Sequence, residues 1–163
     1  MVSTWHAVGI PAFPLFRNPE WTPDHHNPSL DQSESTDHGK NVRVLVLDDE
    51  SVIAETVVEI LRHEGFEAQA VPNGSAAIEL AATWMPNVVL SDVVMPGING
   101  IETGIKIREM IPDCKIILFS GQAATVDMLE RAREQGHNFD ILAKPIRPEQ
   151  LVSVIRSGFG RAS

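Results

Sequence analysis

Five polar residues, widely separated along the chain, carry the kinds of side chain that metal binding and phosphoryl transfer require. Each lies at the end of a short apolar run: Asp48 and Asp49 end VRVLVLDD, Asp92 ends NVVLSD, Ser120 ends KIILFS, and Lys144 ends DILAK. If these runs are strands of one parallel sheet, their carboxyl ends share an edge, and ligands bind in the crevice there. Three carboxylates, a hydroxyl and an ammonium group would then converge, which suits a hard cation and a phosphoryl group.

Each of these residues also has an ordinary structural interpretation. Asp48 and Asp49 could cap a helix and favour its first turn, and Asp92 could simply open a loop. Ser120 could end a strand, and Lys144 could be a surface charge. Crowded carboxylates repel one another unless a cation is present, and oxygen ligands suit Mg²⁺. Because all these residues follow successive strand-like runs, we favour a shared site, with Asp92 as a possible nucleophile toward phosphorus.

The elements that would position these residues follow from the periodicity beyond residue 41. Short apolar runs predict strands at 42–47, 66–71, 87–91, 115–119 and 139–143. Helical spacing predicts helices at about 53–63, 77–84, 101–110 and 125–135, and one that begins at Pro148. Strands that alternate with helices are typical of a parallel sheet covered on both faces.

Composition narrows the class of protein. The chain has 163 residues, enough for one domain and an extra segment, and 43% of them are hydrophobic. A net charge of −9 argues against a nucleic-acid groove or a basic membrane-binding patch. Cys114 is the only cysteine, so a disulfide framework and a cysteine zinc site are excluded. No apolar stretch approaches ~20 residues, and Gly9 and two prolines interrupt the stretch closest to a signal peptide. We expect a cytoplasmic protein.

Residues 1–40 differ in character from the rest. They hold five of the eleven prolines and four of the six histidines, and they show neither strand nor helix periodicity. Such a segment buries too little apolar surface to offset its ordering entropy, so we expect a disordered leader. Four aromatic residues leave open a short docking motif instead: Trp5, Phe13, Phe16 and Trp21.

From about Val42 to Phe159, the chain resembles the receiver domain of two-component response regulators. The resemblance lies in LVLDDE (45–50), PNG (72–74), SDVVMPGINGIE (91–102), FSG (119–121) and KP (144–145). It implies a stand-alone receiver domain over 41–160. The implied fold is a flavodoxin-like, doubly wound, five-stranded parallel sheet of order 2-1-3-4-5 with five helices, as in the chemotaxis member of the family.

The resemblance also implies a chemistry. Asp92 would accept a phosphoryl group from a histidine kinase or a histidine phosphotransfer protein. Mg²⁺ would be held by Asp48, Asp49, Asp92 and the main-chain carbonyl of Val94. Lys144 would neutralise the equatorial oxygens during transfer. The domain would catalyse only its own phosphorylation and dephosphorylation, without acting as an enzyme on other substrates.

Signalling would follow from the added charge. Ser120 would move toward the new oxygens and draw its loop along, and a downstream protein would bind at about 125–159. The family usually has an aromatic switch residue three positions before the lysine, where this chain has Ile141. Phe139 lies two residues earlier on the same strand face, about 6.6 Å along the strand, and we do not expect it to substitute. Ile141 could still fill or vacate a small pocket.

Further expectations come from the same resemblance. The Lys144–Pro145 bond should be cis. Replacing Val94 or Gln122 should alter the rate of autodephosphorylation more than that of phosphorylation. We also expect a monomer or weak dimer, and the net charge leads us to expect no contact with nucleic acid or membrane.

Other functional classes remain as alternatives. An inactive receiver-like interaction module is the main one, although the intact set of polar residues argues against it. A phosphatase with an aspartate nucleophile would need a short D-x-D motif, which neither Asp48-Asp49 nor Asp92-Val93-Val94 supplies. A nucleotide-binding enzyme is disfavoured by the lack of G-x-G-x-x-G and of a P-loop lysine.

Overall fold

A computed structural model describes residues 42–121, 123 and 125–159 of the chain. The expectations for the leader over 1–40, the domain limits at 41 and 160, and Gln122 lie outside these residues. Within the described part, five strands alternate with five helices. The strands are β1 (Arg43–Leu47), β2 (Glu67–Val71), β3 (Val88–Asp92), β4 (Lys115–Ser120) and β5 (Asp140–Ala143). The helices are α1 (Ser51–His63), α2 (Gly74–Trp84), α3 (Gly100–Met110), α4 (Thr125–Glu134) and α5 (Pro148–Phe159).

All neighbouring strands pair in parallel, in the order β2-β1-β3-β4-β5. This arrangement confirms the predicted doubly wound, flavodoxin-like fold. Strands β1, β3 and β4 lie inside the sheet, whereas β2 and β5 form its edges. No helix in the described part of the chain is long and apolar enough to cross a membrane.

The three central strands, β1, β3 and β4, are mostly apolar and buried because both faces of the sheet are covered there. Successive side chains of β1 enter opposite cores: Val44 and Val46 lie in one, and Leu45 and Leu47 in the other. The first core also receives α1 and α5, and the second receives α2, α3 and, through Ala132, α4. Packing on both faces fixes the central strands, and therefore also fixes the positions of the residues at their carboxyl ends.

The sequence places the ends of some elements one to three residues away from their observed positions. Asp92 and Ser120 are the last residues of β3 and β4, because each is still in register with a neighbouring strand. Asp92 pairs with Phe119, and Ser120 pairs with Ala143. β5 begins at Asp140, so the predicted start at 139 is wrong by one residue.

Candidate functional site

Three carboxylates meet at the carboxyl edge of the central strands. Asp48 and Asp49 follow β1, and Asp92 ends β3, which pairs with β1. One carboxylate oxygen from each lies within 4.8 Å of the others. The two strands that hold this acidic group are among the best buried in the sheet. The acidic cluster therefore sits on a well-fixed platform.

Asp48 is the most constrained of the three acids, with a relative exposure of 2%. Its Oδ1 accepts a hydrogen bond of 2.9 Å from the main-chain N–H of Glu50. Its Oδ2 is buried and has no hydrogen-bond partner among the described residues, and Nζ of Lys144 lies 3.9 Å away. Burial raises the pKa of Asp48, although the Glu50 hydrogen bond and the charge of Lys144 act in the opposite direction. A buried carboxylate oxygen without a partner is what a bound cation would satisfy, so this donor set fits Mg²⁺.

Helix capping does not account for Asp48 and Asp49. The N-cap of α1 is Glu50, whose side chain makes no capping hydrogen bond with the described residues. Asp48 bonds the N–H of the N-cap residue itself, which lies outside the helix. The alternative interpretation, that Asp48 and Asp49 serve to cap a helix, therefore loses its main support.

Lys144 reaches the acids from the end of the edge strand β5, which β4 separates from β3. It follows β5, and its Nζ donates a 2.7 Å hydrogen bond to Oδ2 of Asp92. Burial alone would lower the pKa of Lys144, but the bond and charge of Asp92, with further attraction from Asp48 and Glu50, raise it. The ammonium group therefore stays charged at neutral pH. The Lys144–Pro145 bond is cis, as the resemblance implied.

The second oxygen of Asp92 is also engaged. Its Oδ1 accepts a 3.2 Å hydrogen bond from the main-chain N–H of Val94. A cavity of about 320 Å³ opens beside Asp92. Its lining residues are Asp49, Glu50, Asp92, Val94, Gly121, Thr125 and Lys144. An anionic group in this cavity would have an ammonium group on one side and acids able to share a cation on the other.

Ser120 reaches this region through a second hydroxyl. Its Oγ is hydrogen bonded to Oγ1 of Thr125, the first residue of α4. The main-chain oxygen of Ser120 accepts from the N–H of Lys144 at 2.9 Å, so β4 and β5 are still paired at this point. The structure thus brings oxygens of Asp48, Asp49 and Asp92 within 4.8 Å of one another and Lys144 within 2.7 Å of Asp92. It places Ser120 beside Thr125.

Two contributors were missed by the sequence reasoning. Thr125 was treated only as the start of a helix, although a hydroxyl residue at such a position was a visible signal. Gly100, at the start of α3, packs directly on the end of β3. A Cβ there would overlap the carbonyl oxygen of Asp92 and lie 2.6 Å from Oγ of Ser91. The signal for Gly100 was the helix start that follows Asn99-Gly100, but its close approach is a tertiary feature.

Ile141 does not behave as a buried switch residue. It lies in β5, opposite Leu118 of β4, with a relative exposure of 42%. Phe139 is directed elsewhere: the guanidinium of Arg108 lies 4.7 Å from its ring centroid, and the ring packs against the second core. Neither residue therefore fills a buried pocket beside Ser120 in this conformation.

The comparisons with known proteins agree with this geometry. A family model described as the response regulator receiver domain matches residues 44–156. The chain belongs to this family. The receiver domain is 34% identical over 119 residues to the probable transcriptional regulatory protein TcrX of Mycobacterium tuberculosis, a match that covers 73% of this chain and 50% of TcrX. It is 32% identical over 119 residues to the DNA-binding response regulator MtrA of Mycolicibacterium smegmatis, with coverage of 73% and 51%.

Solved structures give the same fold. A two component transcriptional regulator AraC from Clostridium phytofermentans has a TM-score of 0.62 and 27% identity, covering 73% of this chain and 92% of that one. A CheY-like receiver domain from Methanospirillum hungatei has a TM-score of 0.67 and 24% identity, covering 73% and 94%. The chain spans about half the length of the curated relatives it matches.

Membership establishes the general character of the protein. Receiver domains are signalling switches of two-component systems, and they bind Mg²⁺ at an acidic pocket. Response regulators interact with histidine kinases. The acidic cluster of Asp48, Asp49 and Asp92 is the feature of this chain that corresponds to such a pocket.

Proposed function

We propose that this chain is a phosphoacceptor switch in which Asp92 takes a phosphoryl group from a histidine kinase or a histidine phosphotransfer protein. The observation that carries the proposal is the 2.7 Å contact between Lys144 and Asp92, beside two further carboxylates within 4.8 Å. An ion pair alone would be a structural feature. An ion pair beside a buried carboxylate oxygen that has no hydrogen-bond partner among the described residues, on an open cavity, supports transfer chemistry.

The proposed step moves one phosphoryl group between two residues. A carboxylate oxygen of Asp92 attacks the phosphorus of the phosphohistidine in line, and a P–O bond forms as the P–N bond breaks. The electron pair of the broken bond stays on the imidazole nitrogen of the donor. Lys144 offsets charge on the phosphoryl oxygens during transfer, and Ser120 donates a hydrogen bond to one of them afterwards.

Asp48, Asp49, Asp92 and the main-chain carbonyl of Val94 would hold Mg²⁺, which supplies positive charge that neutralises the phosphoryl oxygens. Asp48 contributes the buried oxygen that accepts no hydrogen bond from the described residues. Lys144 keeps its own position through Asp92 and through the main-chain bond to Ser120. The chain would modify only itself, and no other substrate is proposed.

The downstream partner would bind over residues 125–159. Exposed apolar side chains on three elements support this choice of binding surface, namely Val126 of α4, Ile141 of β5 and Phe159 of α5. Curated relatives are named as DNA-binding or transcriptional regulators. For this chain we predict a protein partner rather than nucleic acid, a cytoplasmic location, and a monomer or weak dimer.

Intact mass spectrometry after incubation with phosphoramidate and Mg²⁺ tests the proposal. The wild type should gain the mass of one phosphoryl group, and Asp92→Asn should gain none. Asp113→Asn removes an exposed carboxylate outside the site and should behave as the wild type does. EDTA should greatly slow the gain. If the wild type stays unmodified with phosphoramidate and with acetyl phosphate, the chain is an inactive interaction module.

A further inference from the structure

The hydrogen bond between Ser120 and Thr125 joins the end of β4 to the first residue of α4. Thr125 has a relative exposure of 1%, although α4 is otherwise poorly covered and has only one other buried residue, Ala132. A buried hydroxyl needs hydrogen-bond partners, so the bond fixes the start of an otherwise weakly held helix. This contact therefore links the position of Ser120, beside the site, to the position of the start of α4.

The position of Ser120 relative to the cavity is the second observation. Thr125 lines the cavity beside Asp92 and Lys144, whereas Ser120 is not among its described lining residues. The Ser120 hydroxyl is thus engaged by Thr125 at the border of the cavity. Either hydroxyl of this pair can be the donor. Where Ser120 donates its one proton to Thr125, a phosphoryl group on Asp92 would compete with Thr125 for that proton.

We propose that Thr125 is a positioning residue that holds the Ser120 hydroxyl out of the cavity in the resting protein and releases it to the phosphoryl group. The inference rests on the proposed function, since it concerns the same phosphorylation site. Because Thr125 begins α4, this exchange of partners changes the support of that helix directly. The exchange acts as a two-state equilibrium that Thr125 biases toward the resting state. Ile141, which is exposed, is not needed for it.

Fluoroberyllate, a phosphoryl mimic, measures this equilibrium without a kinase. The full-length protein with Mg²⁺ is titrated with fluoroberyllate while the backbone amide signals of α4 are followed by NMR. Thr125→Val removes the hydroxyl but keeps the shape, so it should tighten binding about two- to tenfold, the value of one net hydrogen bond. Thr125→Ser keeps the hydroxyl and should bind as the wild type does.

Thr103→Val is the matched control. Thr103 is also a buried threonine, but its hydroxyl donates to the main-chain carbonyl of Asn99, the N-cap residue of α3. Its replacement should leave fluoroberyllate affinity unchanged. In metal-free protein, Thr125→Val alone should move the α4 amide signals toward the positions they take in the fluoroberyllate-bound wild type. If circular dichroism shows that Thr125→Val is misfolded, Thr125→Ala replaces it.

A double-mutant cycle with Ser120→Ala separates positioning from packing. Thr125→Val should have no added effect in the Ser120→Ala background, because the hydroxyl it would release is gone. Unchanged or weaker binding by Thr125→Val overturns the inference, and so does tightening that persists without the Ser120 hydroxyl. If the wild type binds no fluoroberyllate and gains no phosphoryl mass, the proposed function fails and the inference fails with it. If the wild type is phosphorylated normally but Thr125→Val binds fluoroberyllate as the wild type does, only this inference is overturned and the proposed function stands.

Discussion

Strands β1 and β3 hold the three carboxylates from the middle of the sheet, whereas Lys144 follows the edge strand β5 and Thr125 begins α4. Four of the five residues of β1 are buried, and so are four of the five in β3. In β5 only Leu142 is buried, and α4 buries only two residues. The acidic half of the site therefore rests on the best-packed part of the domain, and the other half on the least-packed part.

This difference suits a switch. Local opening costs least where few apolar groups are buried, so β5 and α4 can change position while β1 and β3 stay fixed. A cation and a covalent acceptor need constant geometry, and a partner-binding surface needs two states.

The largest difference should appear between two residues that face each other across β4 and β5. Leu118 is fully buried and pairs with Ile141, which is exposed. Leu118→Ala should lower the free energy of unfolding by about 2–5 kcal/mol, because a cavity remains in the core. Ile141→Ala should cost less than about 1 kcal/mol. Urea unfolding measures both, and equal losses would contradict a weakly packed edge.

The next effect concerns the two partly buried lysines. Lys144→Met should slow phosphorylation by phosphoramidate about 10²–10³-fold, the cost of losing one charged group that stabilises a transition state. Lys115→Met is the control, because Lys115 lies at the opposite end of β4 and bonds Asp140 and the carbonyl of Val154. Lys115→Met should be phosphorylated by phosphoramidate at the wild-type rate. Similar phosphorylation rates for both variants would show that Lys144 does not take part in phosphoryl transfer.

Substitutions of two glycines test the difference between the well-packed and the poorly packed half of the site. Gly100→Ala forces a Cβ onto the carbonyl of Asp92, a main-chain group of a central strand, and should cost about 1–3 kcal/mol of stability. Gly121→Ala places its Cβ 3.4 Å from Cβ of Lys144, an ordinary contact, and should change stability by less than about 1 kcal/mol. Thermal unfolding followed by circular dichroism checks both. If Gly100→Ala unfolds at the same temperature as the wild type, β3 is not rigid.

The smallest effect is the pH dependence of Asp48. Burial raises its folded-state pKa above the usual 3.8, so its contribution to stability is full below 3.8 and is lost as pH rises through the raised pKa. In EDTA, the free energy of unfolding should fall over that window. Asp48→Asn should remove this fall and be at least as stable as the wild type at neutral pH.

Mg²⁺ should reverse the order of these two proteins. A cation that binds only the folded state stabilises it, and the wild type should gain more than Asp48→Asn. Asp49→Asn, which removes an exposed carboxylate, should retain the pH dependence in EDTA. A flat profile for the wild type would show that Asp48 is not held in an unfavourable ionised state.

Much of this molecule could be read from residue types and their spacing. The apolar runs that predicted β1, β3 and β4 are continuous because both faces of those strands are buried. The polar residues that end these runs had to share one edge once the strands were parallel. The strand order came from the family resemblance, because periodicity alone does not specify which strands are neighbours.

The remaining features depend on atoms that are distant in sequence. Oδ2 of Asp48 has no hydrogen-bond partner among the described residues because Lys144, reaching across the sheet, stays 3.9 Å away from it. The close approach of Gly100 reflects the packing of α3 on β3. The exposure of Ile141 results from the poor cover of an edge strand. None of these distances is encoded in a local pattern.

The amino-acid sequence by itself determined the alternation of strands and helices and which side chains end the strands, because both are properties of neighbouring residues. Only the tertiary structure decided that Lys144 contacts Asp92 and that the Ser120 hydroxyl is held by Thr125. The physical reason is that hydrogen bonds and ion pairs require atoms to be placed to within a few tenths of an ångström, and packing sets those positions after the elements have formed.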